Sequence, residues 1–184
     1  MYWGERRRKR WVIVRSRCII PREDGSFLMQ REKGGTYSLP GGRLEFQETL
    51  PFCAVRELRE EAGIDVIPQK LVYIVETVNE RRGYPRHEIL FYFVCKYKGE
   101  PRREYKDIRF EWRKPREVYD NFWPPGLVRR LEEDAPEFND AYFIVFIDDR
   151  LTFVNRLEGG FKYIEVKALL PQSYKASEDS TTPG

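Results

Sequence analysis

Residues 42–64 read GRLEFQETLPFCAVRELREEAGI, and this stretch decides the fold of the chain and its chemistry. The pattern over Leu50–Ala62 is helical. Thr49 suits an N-cap, Pro51 is tolerated in the first turn, and Gly63 lies where a C-cap glycine belongs. The apolar residues fall on one side, where they can pack against a sheet. We therefore predict one amphipathic helix here.

Three glutamates, Glu57, Glu60 and Glu61, lie within an arc of about 100° on this predicted helix. Glu57 and Glu61 repel each other at i,i+4 spacing, and a divalent cation would remove that repulsion. Carboxylate oxygens are the ligands that Mg²⁺ and Mn²⁺ prefer. An ordinary surface helix, with Arg56 paired to Glu60, explains the same pattern. The helix alone leaves both interpretations open.

The full stretch resembles the Nudix box, G-x5-E-x7-R-E-U-x-E-E-x-G-U, where U is aliphatic. Every defined position matches, namely Gly42, Glu48, Arg56, Glu57, Leu58, Glu60, Glu61, Gly63 and Ile64. At about 7% frequency for each fixed residue, the pattern arises by chance about once in 10⁹ starting positions. Residues 39–42 and Glu45 are also similar to the family's approach to the box. Gln47 is a departure, because many relatives carry glycine there.

The resemblance implies a hydrolase that cleaves a diphosphate linkage in a nucleoside diphosphate joined to another group. The implied ligands of Mg²⁺ or Mn²⁺ are Glu57, Glu60, Glu61 and the carbonyl of Gly41. Glu57 is also a candidate base toward the attacking water. Arg56 and Glu48 would form a buried pair that orients the loop and the helix. The metal ions would neutralise charge, polarise phosphorus and lower the pKa of the water.

One further acidic ligand is expected after the central strands. Glu111 is the candidate, because a Glu-Trp pair recurs at this place in relatives that cleave nucleoside triphosphates. Glu80 and Glu88 are the reserves, and a plain surface carboxylate is the alternative for Glu111. The same resemblance slightly favours a nucleoside triphosphate as substrate. ADP-ribose or a nucleotide sugar, and a non-catalytic module that senses a nucleotide, are the alternatives.

Two residues outside the box are candidates for substrate contact. Tyr84 lies in a predicted polar loop, Asn79–Arg86, from which its ring can stack on a base. His87 is the only histidine, so zinc sites rich in histidine are excluded. We assign His87 a structural role or a role at the edge of the substrate.

The remaining chain predicts a mixed sheet between helices, and the resemblance implies the Nudix α/β/α sandwich, of the α/β (α+β) class. The predicted strands are 11–20, 27–30, 37–39, 71–77, 88–97 and 108–113. A second helix is predicted after Trp123-Pro124-Pro125, followed by strand candidates at 142–147, 151–154 and 161–166. We expect four segments: a basic N-terminal arm (1–10), a Nudix domain (11–135), a β-rich extension packed on that domain (136–171) and a flexible tail (172–184). The extension can extend the sheet, cover the active site or form a homodimer interface.

The composition of the chain bears on its binding partners and on the compartment in which it is expected to act. The 33 basic residues nearly cancel the 30 acidic ones, so the net charge of +3 does not indicate a nucleic-acid-binding protein. The run Arg6–Arg10 is a local exception that is either a solvated arm or a contact for RNA. Three widely spaced cysteines predict reduced, buried thiols and a cytoplasmic protein. The longest apolar run, Ile89–Cys95, is too short to cross a bilayer.

Overall fold

A computed structural model of the protein describes residues 2–3, 11–81 and 84–157, and a few side chains within these ranges, including those of Glu80 and Tyr84, fall outside the description. The strands are β1 (Tyr2–Trp3), β2 (Trp11–Ile19), β3 (Phe27–Glu32), β4 (Tyr37–Ser38), β5 (Gly41–Arg43), β6 (Asp65–Arg81), β7 (Tyr84–Lys98), β8 (Glu104–Tyr105), β9 (Ile108–Arg113), β10 (Tyr142–Ile147) and β11 (Arg150–Arg156). The helical segments are α1 (Leu50–Glu57), a π-helical turn (Leu58–Ala62), a 3-10 helix (Pro115–Asn121) and α2 (Leu127–Asp134).

These strands form two sheets. The larger has the order β1-β2-β7-β6-β10-β11, with β5 also paired to β2. Its pairs β2–β7 and β10–β6 are parallel and the others are antiparallel, so the predicted mixed central sheet is confirmed. The smaller sheet has the order β4-β3-β9-β8 and is antiparallel. This second sheet was not predicted.

Helices cover both faces of the central sheet. Successive side chains of a strand point to opposite faces, and accordingly Cys18 and Ile19 belong to different apolar clusters. The Cys18 cluster includes Ala54 and Leu58 of the helix that follows the loop. The Ile19 cluster includes the apolar face of α2, formed by Leu127, Val128 and Leu131. This arrangement confirms the predicted α/β fold.

One prediction about the boundaries of elements was wrong. The predicted polar loop Asn79–Arg86 is largely strand, because β6 and β7 pair as far as Arg81 and Tyr84. Beyond the apolar core, β6 and β7 continue with polar side chains, because one face of these two strands lines a cavity. The bounds of the helix predicted over Leu50–Ala62 are confirmed, and its last turn, from Leu58 to Ala62, is π-helical.

The chain beyond α2 extends the central sheet. Strand β10 runs parallel to β6, and β11 pairs with β10. The predicted strand at 161–166, the tail from residue 172 and the basic run Arg6–Arg10 lie outside the described residues. The three cysteines are free and buried, as predicted. Among the described residues, no helix has the length and apolar character that a bilayer crossing requires.

Candidate active site

Arg56 joins the loop before α1 to the helix itself. Its Nε donates to Oε1 of Glu48 at 2.7 Å and its Nη2 donates to Oε2 at 3.1 Å, a two-pronged ion pair. Nη2 also donates to the carbonyl of Arg43 at 3.1 Å, while Glu48 accepts from the backbone N–H of Glu45 at 3.0 Å. The guanidinium of Arg56 lowers the pKa of Glu48. Loop and helix are therefore held as one unit.

Gly42 lets the carboxylate of Glu57 lie directly against the backbone of β5. A Cβ placed on Gly42 would lie 2.0–2.3 Å from the three carboxylate atoms of Glu57. Since no side chain fits there, only glycine permits this approach. Cys53 supports the same strand, because its buried thiol donates to the carbonyl of Arg43 at 3.3 Å. Burial raises the pKa of this thiol to about 12, so it remains protonated as a donor.

Glu57 and Glu61 face the same cavity without sufficient countercharge. Burial raises the pKa of each carboxyl, and the charge of Glu57 raises that of Glu61 further. Arg56 lies 3.1 Å from Glu57 and opposes part of this effect. Two carboxylates that are desolvated and mutually repulsive are a fitting site for a hard divalent cation.

The side chain of Glu60 does not face this cavity. Its side chain is 57% exposed and lies 3.3 Å from Nη1 of Arg56, the i,i+4 pair that the sequence left open. The π-helical turn explains the difference, because each residue of a wider turn advances through a smaller angle. Glu61 therefore remains on nearly the same side of the helix as Glu57. Glu60 is rotated further from that side than it would be on a regular α-helix. Such an exposed pair is worth less than about 1 kcal/mol, so Glu60 can leave it.

As the side chains stand, no three Asp, Glu, His or Cys residues in the described ranges converge on one metal position. The oxygens available at the cavity suit Mg²⁺ or Mn²⁺ in kind: two carboxylates and the backbone of Gly41 and Gly42. Mg²⁺ commonly binds to one or two protein carboxylates and keeps several waters. The residues present therefore fit such an ion.

A cavity of about 660 Å³ opens between the two sheets. Most of its wall is polar or charged. The central sheet, the loop after β5 and the helix contribute Arg15, Arg17, Gly41, Gly42, Arg43, Glu45, Glu57, Glu61, Asn79, Arg86 and Glu88. The smaller sheet and the remaining loops contribute Gln30, Glu32, Thr36, Ser38, Ile108, Trp123 and Asp149.

Arg17 is a residue of this wall that sequence analysis missed. It is buried on β2, and its Nη1 donates to the carbonyls of Leu39 at 3.0 Å and Gly41 at 2.7 Å. Burial lowers its pKa, and the nearby charge of Arg15 lowers it further. In the sequence, Arg15 and Arg17 only interrupt an apolar strand. Their two-residue spacing, which places both on one face, was the available signal.

The match to known proteins covers most of the described chain. Residues 13–137 match the NUDIX domain family. The chain belongs to the Nudix family. A MutT-like protein of Streptomyces ambofaciens is 33% identical over 116 residues, which are 62% of this chain and 71% of that protein. An 8-oxo-dGTP diphosphatase of Proteus vulgaris is 34% identical over 98 residues, which are 50% of this chain and 83% of that protein.

A solved structure shows the same fold. The crystal structure of a MutT protein from Bacillus halodurans superposes with a TM-score of 0.63 at 22% identity, covering 80% of this chain and 99% of that chain. The chain is accordingly a Nudix hydrolase, and its Nudix box is the loop-and-helix unit joined by Arg56.

Two candidates from the sequence, Glu111 and His87, do not line the cavity. The side chain of a third, Tyr84, is not among the described residues. Glu111 is not on the cavity wall; its carboxylate accepts from Tyr37 at 3.0 Å and from Arg113. Burial alone would raise the pKa of Glu111, but these two hydrogen bonds outweigh it and lower the pKa. His87 lies 2.5 Å from Glu76 and is also absent from the wall, so its position does not support a substrate contact.

Trp123 is the aromatic residue of the wall, although the sequence suggested only that it helps to start a helix. Its backbone N–H donates to the carbonyl of Tyr37 at 2.8 Å, which fixes it beside the smaller sheet. Of the reserve acids, Glu88 reaches the wall, and it is held there by arginines. The side chain of Glu80 is outside the description.

Proposed function

We propose that this Nudix hydrolase cleaves a phosphoanhydride bond of a nucleoside triphosphate in a reaction that requires Mg²⁺ or Mn²⁺. The observation that carries the proposal is the pair of desolvated carboxylates, Glu57 and Glu61, beside Gly42 on the wall of a polar cavity. The name of the Proteus vulgaris relative, a diphosphatase of a deoxynucleoside triphosphate, supports this substrate class.

The proposed division of roles follows the contacts. Glu57 and Glu61 would hold the cation, joined by Glu60 once that side chain leaves Arg56, and by the carbonyl of Gly41 once it exchanges its hydrogen bond from Arg17 for the cation. Bound metal ions supply charge neutralisation and a water of lowered pKa. Glu57, held against Gly42, is placed to accept a proton from that water. Arg56 and Glu48 act indirectly, because they fix the loop and helix that carry the ligands.

Glu111 remains proposed as a further ligand only if it exchanges its bonds with Arg113 and Tyr37 for the metal. That exchange breaks the short contact with Arg113 and the 3.0 Å hydrogen bond from Tyr37. The three free, buried thiols support the expectation of a reducing, cytoplasmic compartment.

The test is a release assay for phosphate and pyrophosphate over nucleoside triphosphates, oxidised dGTP, ADP-ribose and nucleotide sugars, with Mg²⁺, Mn²⁺ or EDTA. We expect turnover of a triphosphate that EDTA abolishes. Preferential turnover of ADP-ribose or a nucleotide sugar would overturn the substrate class. Nucleotide binding without turnover of any compound would instead indicate the non-catalytic module.

Variants then test the ligands. Replacing Glu57, Glu60 or Glu61 singly by glutamine should lower kcat by at least about 100-fold, since each change removes a charge that the cation needs. Glu133→Gln is the matched control, because Glu133 is an exposed glutamate of α2 paired only at i,i+3 with Arg130. A Glu60→Gln variant with a near wild-type rate would show that Glu60 stays with Arg56 and is no ligand.

A further inference from the structure

A buried glutamate holds two arginines on the cavity wall. Glu88 is only 1% exposed, and its Oε1 accepts from Nε and Nη2 of Arg15, both at 3.3 Å. The same oxygen accepts from Nε of Arg86 at 2.9 Å and makes a closer contact with Nη2 of Arg86. Both guanidinium groups are therefore fixed in position before any ligand arrives.

This group carries more positive than negative charge. Arg15 and Arg86 share the single carboxylate of Glu88, and Arg17 nearby donates to two backbone carbonyls. The whole wall carries four arginines and six carboxylates, so the positive surplus is confined to the part around Glu88, where it favours an anion because burying an unpaired charge is costly.

The arginines lie beside the proposed metal face. Arg15 and Arg17 line the same cavity as Glu57 and Glu61, and the charge of Arg17 opposes the rise in the pKa of both carboxyls. Apart from Arg43, the other charged side chains on the wall are carboxylates, which repel a phosphate.

We propose that Arg15 and Arg86, positioned by Glu88, bind a phosphate of the substrate that lies outside the diphosphate held by the metal ions. The site thus selects nucleoside triphosphates over ADP-ribose, whose second half is an uncharged sugar. The planar guanidinium fork matches phosphate oxygens in pairs, and Glu88 reduces the side-chain freedom lost on binding. This inference rests on the proposed function for the position of the diphosphate.

The test compares two ligands by calorimetry in Mg²⁺: a non-hydrolysable guanosine triphosphate analogue and guanosine monophosphate. The variants are Arg15→Gln, Arg86→Gln and Arg15→Lys, which keeps the charge and loses the fork. Each glutamine variant leaves Glu88 one arginine partner, so the fold is retained, and the melting temperature checks this. Arg103→Gln is the control, because Arg103 is an exposed arginine that does not line the cavity.

We expect Arg15→Gln and Arg86→Gln to weaken analogue binding at least about 10-fold, with a smaller loss for Arg15→Lys. Monophosphate binding and the Arg103→Gln variant should match the wild type. In turnover assays, KM for the triphosphate should rise more than kcat falls, so the preference for the triphosphate over ADP-ribose, expressed as the ratio of kcat/KM values, should decrease. Equal losses for both ligands, or no loss, would overturn the phosphate site. Arginine-dependent binding of the analogue by a protein without hydrolase activity would refute the proposed function and leave this site standing.

Discussion

The geometry of the site depends on Gly42, which has a hydrogen atom where every other residue has a Cβ. A Cβ there would overlap the carboxylate of Glu57 at 2.0–2.3 Å. We expect Gly42→Ala to displace Glu57 and lower kcat about 100-fold, because small misplacements at a reacting centre have effects of that size. The free energy of unfolding should change by less than about 1 kcal/mol, because the overlapping atoms are the end of a flexible side chain that can move into the cavity.

Gly34→Ala is the matched control for that variant, because a Cβ on Gly34 meets no atom within 4 Å. Its rate and stability should remain close to those of the wild type. Steady-state kinetics and urea unfolding of both variants check the prediction. A Gly42→Ala protein with unchanged kcat would show that the approach of Glu57 to the backbone is not needed.

The pair of Arg56 and Glu48 makes stability depend on pH. The pKa of Glu48 is lowered in the folded protein, chiefly by hydrogen bonds from Arg56. A lowered carboxyl pKa stabilises the fold above the unfolded pKa, about 4.3, and that contribution is lost as the pH falls through the folded value. Glu48→Gln should therefore cost about 1.5–3 kcal/mol at pH 7 and much less at pH 3.

Urea unfolding of the wild type and Glu48→Gln at both pH values measures this difference. Glu133→Gln, which changes an exposed glutamate, should differ little from the wild type at either pH. If Glu48→Gln were equally destabilised at pH 7 and pH 3, the charge of Glu48 would not be the cause.

At the scale of elements, the loop before α1 contains a strained residue, Gln47, which is also the departure from the family's usual residue in the sequence. Gln47 has φ +63°, in the left-handed region that costs a non-glycine residue about 1–2 kcal/mol. It is also the position where many relatives carry glycine. Gln47→Gly should raise the free energy of unfolding by about 0.5–1 kcal/mol, after the entropy of the unfolded chain is counted.

Gln47→Ala is the comparison, since alanine keeps the Cβ and with it the strain. Thermal unfolding of the two variants separates them: the glycine variant should melt higher than the wild type and the alanine variant should not. A glycine variant that melts at or below the wild-type temperature would show that the side chain of Gln47 contributes more than its backbone strain costs.

The sequence predicted helices and strands whose apolar residues recur at a regular spacing. It missed features that depend on residues far away in the chain. The helix after Thr49 follows from its apolar spacing, but the π-helical turn after Glu57 does not, and it moves Glu60 off the cavity. Arg15 and Arg17 belong to the wall because residues of the smaller sheet, among them Gln30, Glu32 and Ser38, line the same cavity. Strand alternation gives the shared face, and only the fold shows what lies opposite it.

At the scale of the whole molecule, the cavity between the sheets separates two kinds of charge. The desolvated carboxylates of Glu57 and Glu61 lie on the helix side, and the arginines held by Glu88 lie on the central sheet. Each group is poorly compensated by the protein itself, so each lowers stability until a ligand of opposite charge is bound. We therefore expect ligand binding to stabilise the fold.

If ligand binding stabilises the fold, divalent cations should raise the melting temperature. An ion that binds only the folded state at 100 times its Kd adds about 2.7 kcal/mol. For a chain of this size, each kcal/mol shifts the melting temperature by about 2–4 °C. Scanning calorimetry in excess Mg²⁺ or Mn²⁺ should therefore show a rise of several degrees over EDTA. Glu57→Gln should lose most of the rise and Glu133→Gln should keep it; an equal rise in both would place the cation away from the Nudix helix.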